Sequence, residues 1–244
     1  MDGEIKTPKI YGFNTFSEAG KDNFSPTIFL GGCNLRCSYC MNAKLVLDYK
    51  GLNEIDIEEV KKFVLDNKCE FVNISGGEVT RRPSLEIIAL LDLIKSWGVK
   101  VAVSTNGLLP YALRTIIDKL DYVTMDIKTD QNKYDRLYGY SYSNNQSFEL
   151  ILKSLDILRD EAKKRSFDYE IRTTLYRSLV GEEELKNIGS ILNKDETWTL
   201  QPFRKTKYMI GKEAYFESLY SEDEMTRMLD LCRQYCDNVD LRLV

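Results

Sequence analysis

The sequence predicts an α/β fold in which parallel strands are joined by helices, a partial (β/α)6 TIM-like barrel with its first loop rich in cysteine. Three observations predict it. Short β-rich runs alternate with helical patterns from residue 27 onward, and repeated strand-helix units imply parallel strands with right-handed crossovers. No low-complexity linker or break in composition divides the chain. Its 244 residues match the roughly 200–250 that one α/β barrel occupies. A single domain over 1–244 is expected, with a core of about 25–204 and a terminal helix and strand over 221–244.

The first strand is Thr27-Leu30, and the others are Glu70-Ser75, Val99-Ser104, Tyr122-Ile127, Tyr169-Leu175, Thr197-Pro202 and Val239-Val244. Each is short and rich in β-branched, aromatic or other apolar residues. Between them run helical patterns at about 56–67, 83–97, 110–119, 147–164, 182–193 and 221–236. Pro83 stands near the first turn of the second helix. Ser147 opens the fourth, and Ser221-Glu-Asp-Glu resembles a capping box. The longest irregular piece, Thr129-Gln146, is rich in Tyr and Asn, and such loops are more often functional than idle. A doubly wound open sheet would instead place a G-x-G-x-x-G after the first strand. This chain has Gly31-Gly32-Cys33-Asn34-Leu35-Arg36-Cys37-Ser38-Tyr39-Cys40 there.

Composition narrows the chemistry. There are six cysteines and no histidine, so a Ser-His-Asp triad, a Cys-His pair, an H-E-x-x-H zinc site and an imidazole base are all excluded. Difficult chemistry must come from carboxylates, Lys, Tyr, Cys or a cofactor. A net charge of −4 argues against broad nucleic-acid binding. Lys163-Lys164-Arg165 and Arg204-Lys205-Thr206-Lys207 read as solvated surface. The longest apolar run, Ile87 to Leu91, is far short of the roughly 18 residues a membrane helix needs. MDGEIKTPK lacks an apolar signal region, and the cytoplasm is the expected location.

Cys33, Cys37 and Cys40 form a C-x3-C-x2-C loop just beyond the first strand, at the end where parallel barrels display ligands. Interleaved Gly, Asn, Arg and Ser make this a poor core segment. Structural zinc normally takes four ligands, and no fourth Cys or His lies near. Thiolates suit iron-sulfur clusters, and a cubane on three of them would keep one iron open. Cys232 and Cys236, one helical turn apart, read as core, and Cys69, at the end of a helix, reads as non-catalytic.

Further segments fall at successive strand ends: Ser75-Gly76-Gly77-Glu78, Ser104-Thr105-Asn106-Gly107 and Met125-Asp126-Ile127-Lys128. With the cysteine loop, they resemble the radical S-adenosylmethionine superfamily. Its glycyl-radical-enzyme activases carry similar G-G-E, D-T-N-G and D-x-K segments. The approach Gly12-Phe13 through Phe29-Leu30-Gly31-Gly32, together with Arg172-Thr173-Thr174 and Leu200-Gln201-Pro202-Phe203-Arg204, most resembles activating proteins of the anaerobic ribonucleoside-triphosphate reductase type. Pyruvate formate-lyase activases are close relatives. The resemblance covers about residues 10–244. Met41-Asn42 stands where those families place His-Asn, and Ser104 replaces an aspartate that helps bind a monovalent cation in some relatives.

The resemblance implies a 4Fe-4S cluster on Cys33, Cys37 and Cys40, with S-adenosyl-L-methionine chelated to its open iron and cleaved to methionine and a 5′-deoxyadenosyl radical. It implies cosubstrate contacts from Tyr39, Gly76, Gly77, Glu78, Ser104, Asn106, Asp126, Lys128, Arg172 and Arg204, with Asp126 the remaining candidate for a monovalent cation. It further implies a glycyl radical enzyme as partner, anaerobic ribonucleotide reductase in particular, and a flavodoxin or ferredoxin type electron donor. From the residues alone, Tyr39 either meets the cofactor or is a surface aromatic, and Asn106-Gly107 either binds or merely ends a strand. Asp126 and Lys128 alternate with Met125 and Ile127, so both point to one side of the strand. There they need a ligand or each other, since unpaired buried charges are costly. Two competing expectations are a radical enzyme acting on a small molecule, nucleotide or peptide, and a structural zinc knuckle in a binding module.

Overall fold

A computed structural model describes residues 6–15, 25–138 and 146–242. Among the described residues eight strands hydrogen-bond in chain order: β1 (Ile10–Asn14), β2 (Thr27–Leu30), β3 (Phe71–Gly76), β4 (Lys100–Thr105), β5 (Tyr122–Asp126), β6 (Asp168–Leu175), β7 (Thr197–Pro202) and β8 (Asn238–Leu241). The α-helices among the described residues are α1 (Ala43–Leu47), α2 (Ile57–Asp66), α3 (Ser84–Lys95), α4 (Pro110–Ile116), α5 (Ser147–Lys164), α6 (Glu182–Gly189) and α7 (Glu222–Cys232). No helix among the described residues is long and apolar enough to cross a membrane. The pairs β2–β3, β3–β4, β6–β7 and β7–β8 are all parallel.

Strand β1 and the short helix α1 are not announced by the sequence pattern. The strand pairs antiparallel with β2 through an irregular register between Ile10 and Gly12. Gly12 and Asn14 are poor strand formers, and only Ile10 of its five residues is fully buried, so no alternation shows.

The chain gathers into two compact units. The first comprises the described parts of Met1–Asn34, Lys44–Thr124 and Lys153–Asp168. Its core is built from continuous apolar runs, as expected of parallel strands covered on both faces. Ile28, Leu30, Val72, Ile74, Val101 and Val103 are wholly buried, as are Leu90, Leu91 and Ile94 of α3. Helix α2 starts where the Asp56 side chain accepts the Glu58 amide at 3.0 Å, the usual N-cap device.

The second unit comprises Leu35–Ala43, the described parts of Met125–Leu152, and Tyr169–Arg242. Buried Trp198 donates from Nε1 to Thr173 Oγ1 at 3.0 Å, and Thr173 donates to the Ile127 carbonyl at 2.9 Å. Buried Glu170 accepts both Arg242 Nη atoms, at 3.2 and 2.9 Å, and the Thr199 hydroxyl at 2.9 Å. That clamp fixes the end of β8. Helix α7 carries the capping box read from Ser221-Glu-Asp-Glu: Glu224 N–H donates to Ser221 Oγ, and Ser221 N–H to Glu224 Oε2 at 2.8 Å. Positions 139–145 of the long loop, and the last two of the strand expected to reach Val244, lie outside the described residues.

Candidate active site

In the first unit the parallel register places Leu30 opposite Gly76, so the turns leaving β2 and β3 lie side by side. Gly77 N–H donates to the Leu30 carbonyl, and Glu78 N–H to the Gly32 carbonyl, both at 2.8 Å. The approach is too close for side chains. A Cβ on Gly77 would lie 2.0 Å from Gly32 O, and one on Gly76, whose φ is +107°, would lie 2.5 Å from Leu30 O. Gly77→Ala is therefore expected to force two backbones apart, at a cost of at least the 1–3 kcal/mol of ordinary overpacking. Thermal denaturation should show a fall in Tm of roughly 2–4 °C per kcal/mol for a chain of this size. Gly98→Ala is the control. Its φ is +81° but nothing lies within 4 Å of the added carbon, so it should cost only about 1 kcal/mol of left-handed strain.

Glu78 follows the glycines and is 1% exposed. Its Oε1 accepts Thr80 N–H at 3.0 Å, the Thr80 hydroxyl at 2.5 Å and the Thr105 hydroxyl at 2.7 Å, while Oε2 accepts Asn106 N–H at 2.7 Å. Burial raises this carboxyl above its ordinary range, with the four donors working in the opposite direction. Asn106 is equally constrained. Its Oδ1 accepts Leu108 N–H at 3.1 Å, and its Nδ2 donates to Asn34 Oδ1 at 2.8 Å and reaches Cys33 Sγ at 3.9 Å. Ser104 is buried in β4 beside them in sequence. The turns after β3 and β4 and the first cysteine thus form one hydrogen-bonded assembly. Thr80, Thr105 and Asn34 join it unannounced, because a lone buried Thr or Asn carries no periodic signal.

The second unit holds Cys37, Tyr39 and Cys40. Cys40 N–H donates to the Cys37 carbonyl at 3.0 Å. Burial raises the Cys40 thiol above its ordinary value. Tyr39 is buried, not a surface aromatic. It stacks on Tyr176 at 4.9 Å and meets Phe203 edge-on at 6.3 Å. Its hydroxyl is buried without a hydrogen-bond partner, and burial raises that phenol well above its usual value. Gly211 N–H donates to the Ser38 carbonyl at 2.8 Å, so the stretch after β7 supports this loop.

Asp126 and Lys128 do point to one side, and Arg172 of β6 joins them. Asp126 Oδ1 accepts Arg172 Nε at 2.6 Å, and Oδ2 accepts Arg172 Nη2 at 3.2 Å and Lys128 Nζ at 3.0 Å. Burial alone would raise the Asp126 carboxyl, but Arg172 and Lys128 outweigh it and hold it well below the usual carboxylate range. Burial likewise works to lower Lys128, and the Asp126 charge outweighs it and raises it. One carboxylate facing two cations leaves a formal charge of +1. Both Asp126 oxygens, the remaining candidates for a monovalent-cation site, thus already face protein cations. Arg204 stands apart as an exposed side chain, and Met41 is 53% exposed.

All six cysteines are free thiols. Among the described residues no three Cys, Asp or Glu side chains are gathered as a ready metal site. Cys232 and Cys236 are fully buried. Burial pushes the Cys232 thiol up to about 12 and the Cys236 thiol to about 11, the behaviour of inert core cysteines.

Residues 27–175 match the family model of the radical SAM superfamily. The chain is 28% identical over 227 residues to a protein of Methanocaldococcus jannaschii provisionally assigned as a glycyl-radical enzyme activating enzyme, covering 90% of this chain and 89% of that one. It is 33% identical over 183 residues to the pyruvate formate-lyase-activating enzyme of Clostridium pasteurianum, covering 72% and 74% respectively. Among solved structures, TYW1 with a lysine-pyruvate adduct bound superposes with a TM-score of 0.56 at 19% identity, over 87% of this chain and 74% of that one. That likeness carries the TIM-like α/β fold class.

Proposed function

The chain belongs to the radical SAM superfamily, an enzyme family using a 4Fe-4S cluster and S-adenosylmethionine, and from that membership we propose that it activates a glycyl radical enzyme of the anaerobic ribonucleoside-triphosphate reductase type. The chain's own residues fit the cofactors. Three free thiols stand in one loop. The Gly76-Gly77 turn packs backbone to backbone against Leu30 and Gly32 at the start of that loop, and a buried Tyr39 hydroxyl is without a hydrogen-bond partner.

In this reading Cys33, Cys37 and Cys40 would hold the cluster as thiolates. When reduced, the bound cluster supplies the electron that splits the cosubstrate's sulfonium carbon-sulfur bond, giving methionine and a 5′-deoxyadenosyl radical. The turn at Gly76 and Gly77 offers bare backbone to the methionyl amino group. The +1 group of Asp126, Lys128 and Arg172 would suit a carboxylate such as the methionyl one, since a charge-assisted contact is worth most where water is largely excluded. Tyr39 excludes water and offers its hydroxyl. A glycine Cα of the partner would give up one hydrogen atom, leaving 5′-deoxyadenosine and a glycyl radical. The electron donor is of flavodoxin or ferredoxin type, and the setting is the cytoplasm.

The observation that carries the activase reading is the pairing of Asp126 and Lys128 with Arg172 on the next strand, because it builds the D-x-K segment into one charged group. Likeness to activating enzymes along nine-tenths of the chain supports it. Anaerobically reconstituted protein, reductant, S-adenosylmethionine and a co-encoded glycyl radical enzyme should together yield the doublet electron paramagnetic signal of a glycyl radical. Cosubstrate cleavage with no such signal, but with deuterium passing from a labelled small molecule into 5′-deoxyadenosine, would transfer the reading to a small-molecule radical enzyme.

A further inference from the structure

Glu78 is heavily engaged by the protein, its Oε1 accepting three donors and its Oε2 one. Gly107 N–H donates to Thr105 Oγ1 at 3.2 Å, which leaves the Thr105 proton for Glu78. Asn106 is fixed at three points. Its amide N–H is held by Glu78, its carbonyl is held by Leu108 N–H, and its NH2 group is thereby turned toward Asn34 and Cys33. The Leu108 contact also sets which end of the amide is nitrogen.

We infer that Glu78 and Asn106 are positioning residues that tune the cluster through its first ligand: Glu78 anchors the Asn106 backbone, and Asn106 aims an N–H at the Cys33 sulfur. The inference rests on the reading of Cys33 as a cluster ligand. A donor on a ligand sulfur favours the more electron-rich, reduced state, and such bonds are a recognised control on cluster potential. Two strand-end turns and the cysteine loop would then share one purpose. The glycines let the two turns pack backbone to backbone, and the carboxylate behind them sets the sulfur's surroundings.

The test is an anaerobic redox titration of the reconstituted cluster without cosubstrate, followed by its electron paramagnetic signal. Asn106→Ala should make reduction about threefold to tenfold less favourable, a fall of up to about 59 mV for one electron. Glu78→Asp keeps the charge but withdraws the carboxylate by one methylene. It should move the potential in the same direction, and produce no further shift in the Asn106→Ala background, since residues acting through one contact are not additive. An unchanged potential in N106A with full iron content overturns the inference. An E78D shift that adds to that of N106A, or no E78D shift at all, overturns the part assigned to Glu78. A variant that takes up no cluster also counts against it, because both residues are assigned to tuning and not to assembly. If Cys33→Ser keeps full iron and an unaltered potential, the ligand reading itself has failed.

Discussion

Cys37→Ser is expected to abolish cosubstrate cleavage and to reduce bound iron to background after anaerobic reconstitution. The chain has no histidine to substitute for a missing thiolate, and the three remaining cysteines are poor replacements. Cys232 and Cys236 are fully buried, with thiols held protonated far above neutral pH, and Cys69 is buried at the end of α2. Serine preserves the size of Cys37 but offers a hydroxyl that does not ionise at neutral pH, so two thiolates would be left to hold the iron.

Cys232→Ser supplies the contrast. It should retain full iron, brown colour and cleavage, while losing roughly 1–3 kcal/mol of stability for placing a hydroxyl in an apolar site. Iron analysis, the visible spectrum and thermal denaturation of both variants separate ligands from core cysteines. Equal iron content in Cys37→Ser and the parent would end the cluster assignment.

Local patterns were legible wherever a short stretch of chain determines its own conformation. The expected limits of β2, β7 and α5 coincide with those observed. The pattern overran where tertiary contacts end an element early. The fifth expected helix, drawn to 193, stops at Gly189, where a Cβ would strike the Tyr235 ring at 2.5 Å. The stretch expected as one helix over 110–119 ends in a 3₁₀ turn from Ile117. In the site, the strand-end segments located the candidate residues, and the two-residue alternation put Asp126 and Lys128 on one side. What sequence could not supply were partners on other strands. Arg172 is 46 residues from Asp126, and Thr105 is 27 from Glu78, and no period links such pairs. Spacing nominated Glu78 as a cosubstrate contact. The structure adds four protein donors on it, from Thr80, Thr105 and Asn106, that spacing did not announce.

Asp126→Asn is expected to destabilise the protein more than loss of either of its cationic partners. The side chains of Asp126, Lys128 and Arg172 are only 16–18% exposed. Removing the one anion leaves two shielded cations facing each other, and breaking a buried pair by deleting one partner costs about 3–5 kcal/mol. Lys128→Met leaves the two-point Asp126–Arg172 pair intact and should cost less. It also takes the group from +1 to neutral, so it should raise the KM for S-adenosylmethionine while the fold persists, whereas Asp126→Asn acts first on Tm. The pH dependence has a definite sign. The Asp126 carboxyl is held below its ordinary value, so its stabilisation is fully present above the unfolded carboxylate value of about 4 and disappears as pH falls through the lower folded value. The Tm curves of the parent and Asp126→Asn should therefore run apart near neutrality and converge below about pH 4. Curves that stay parallel throughout would mean that the carboxylate charge contributes nothing to holding Lys128 and Arg172 in place.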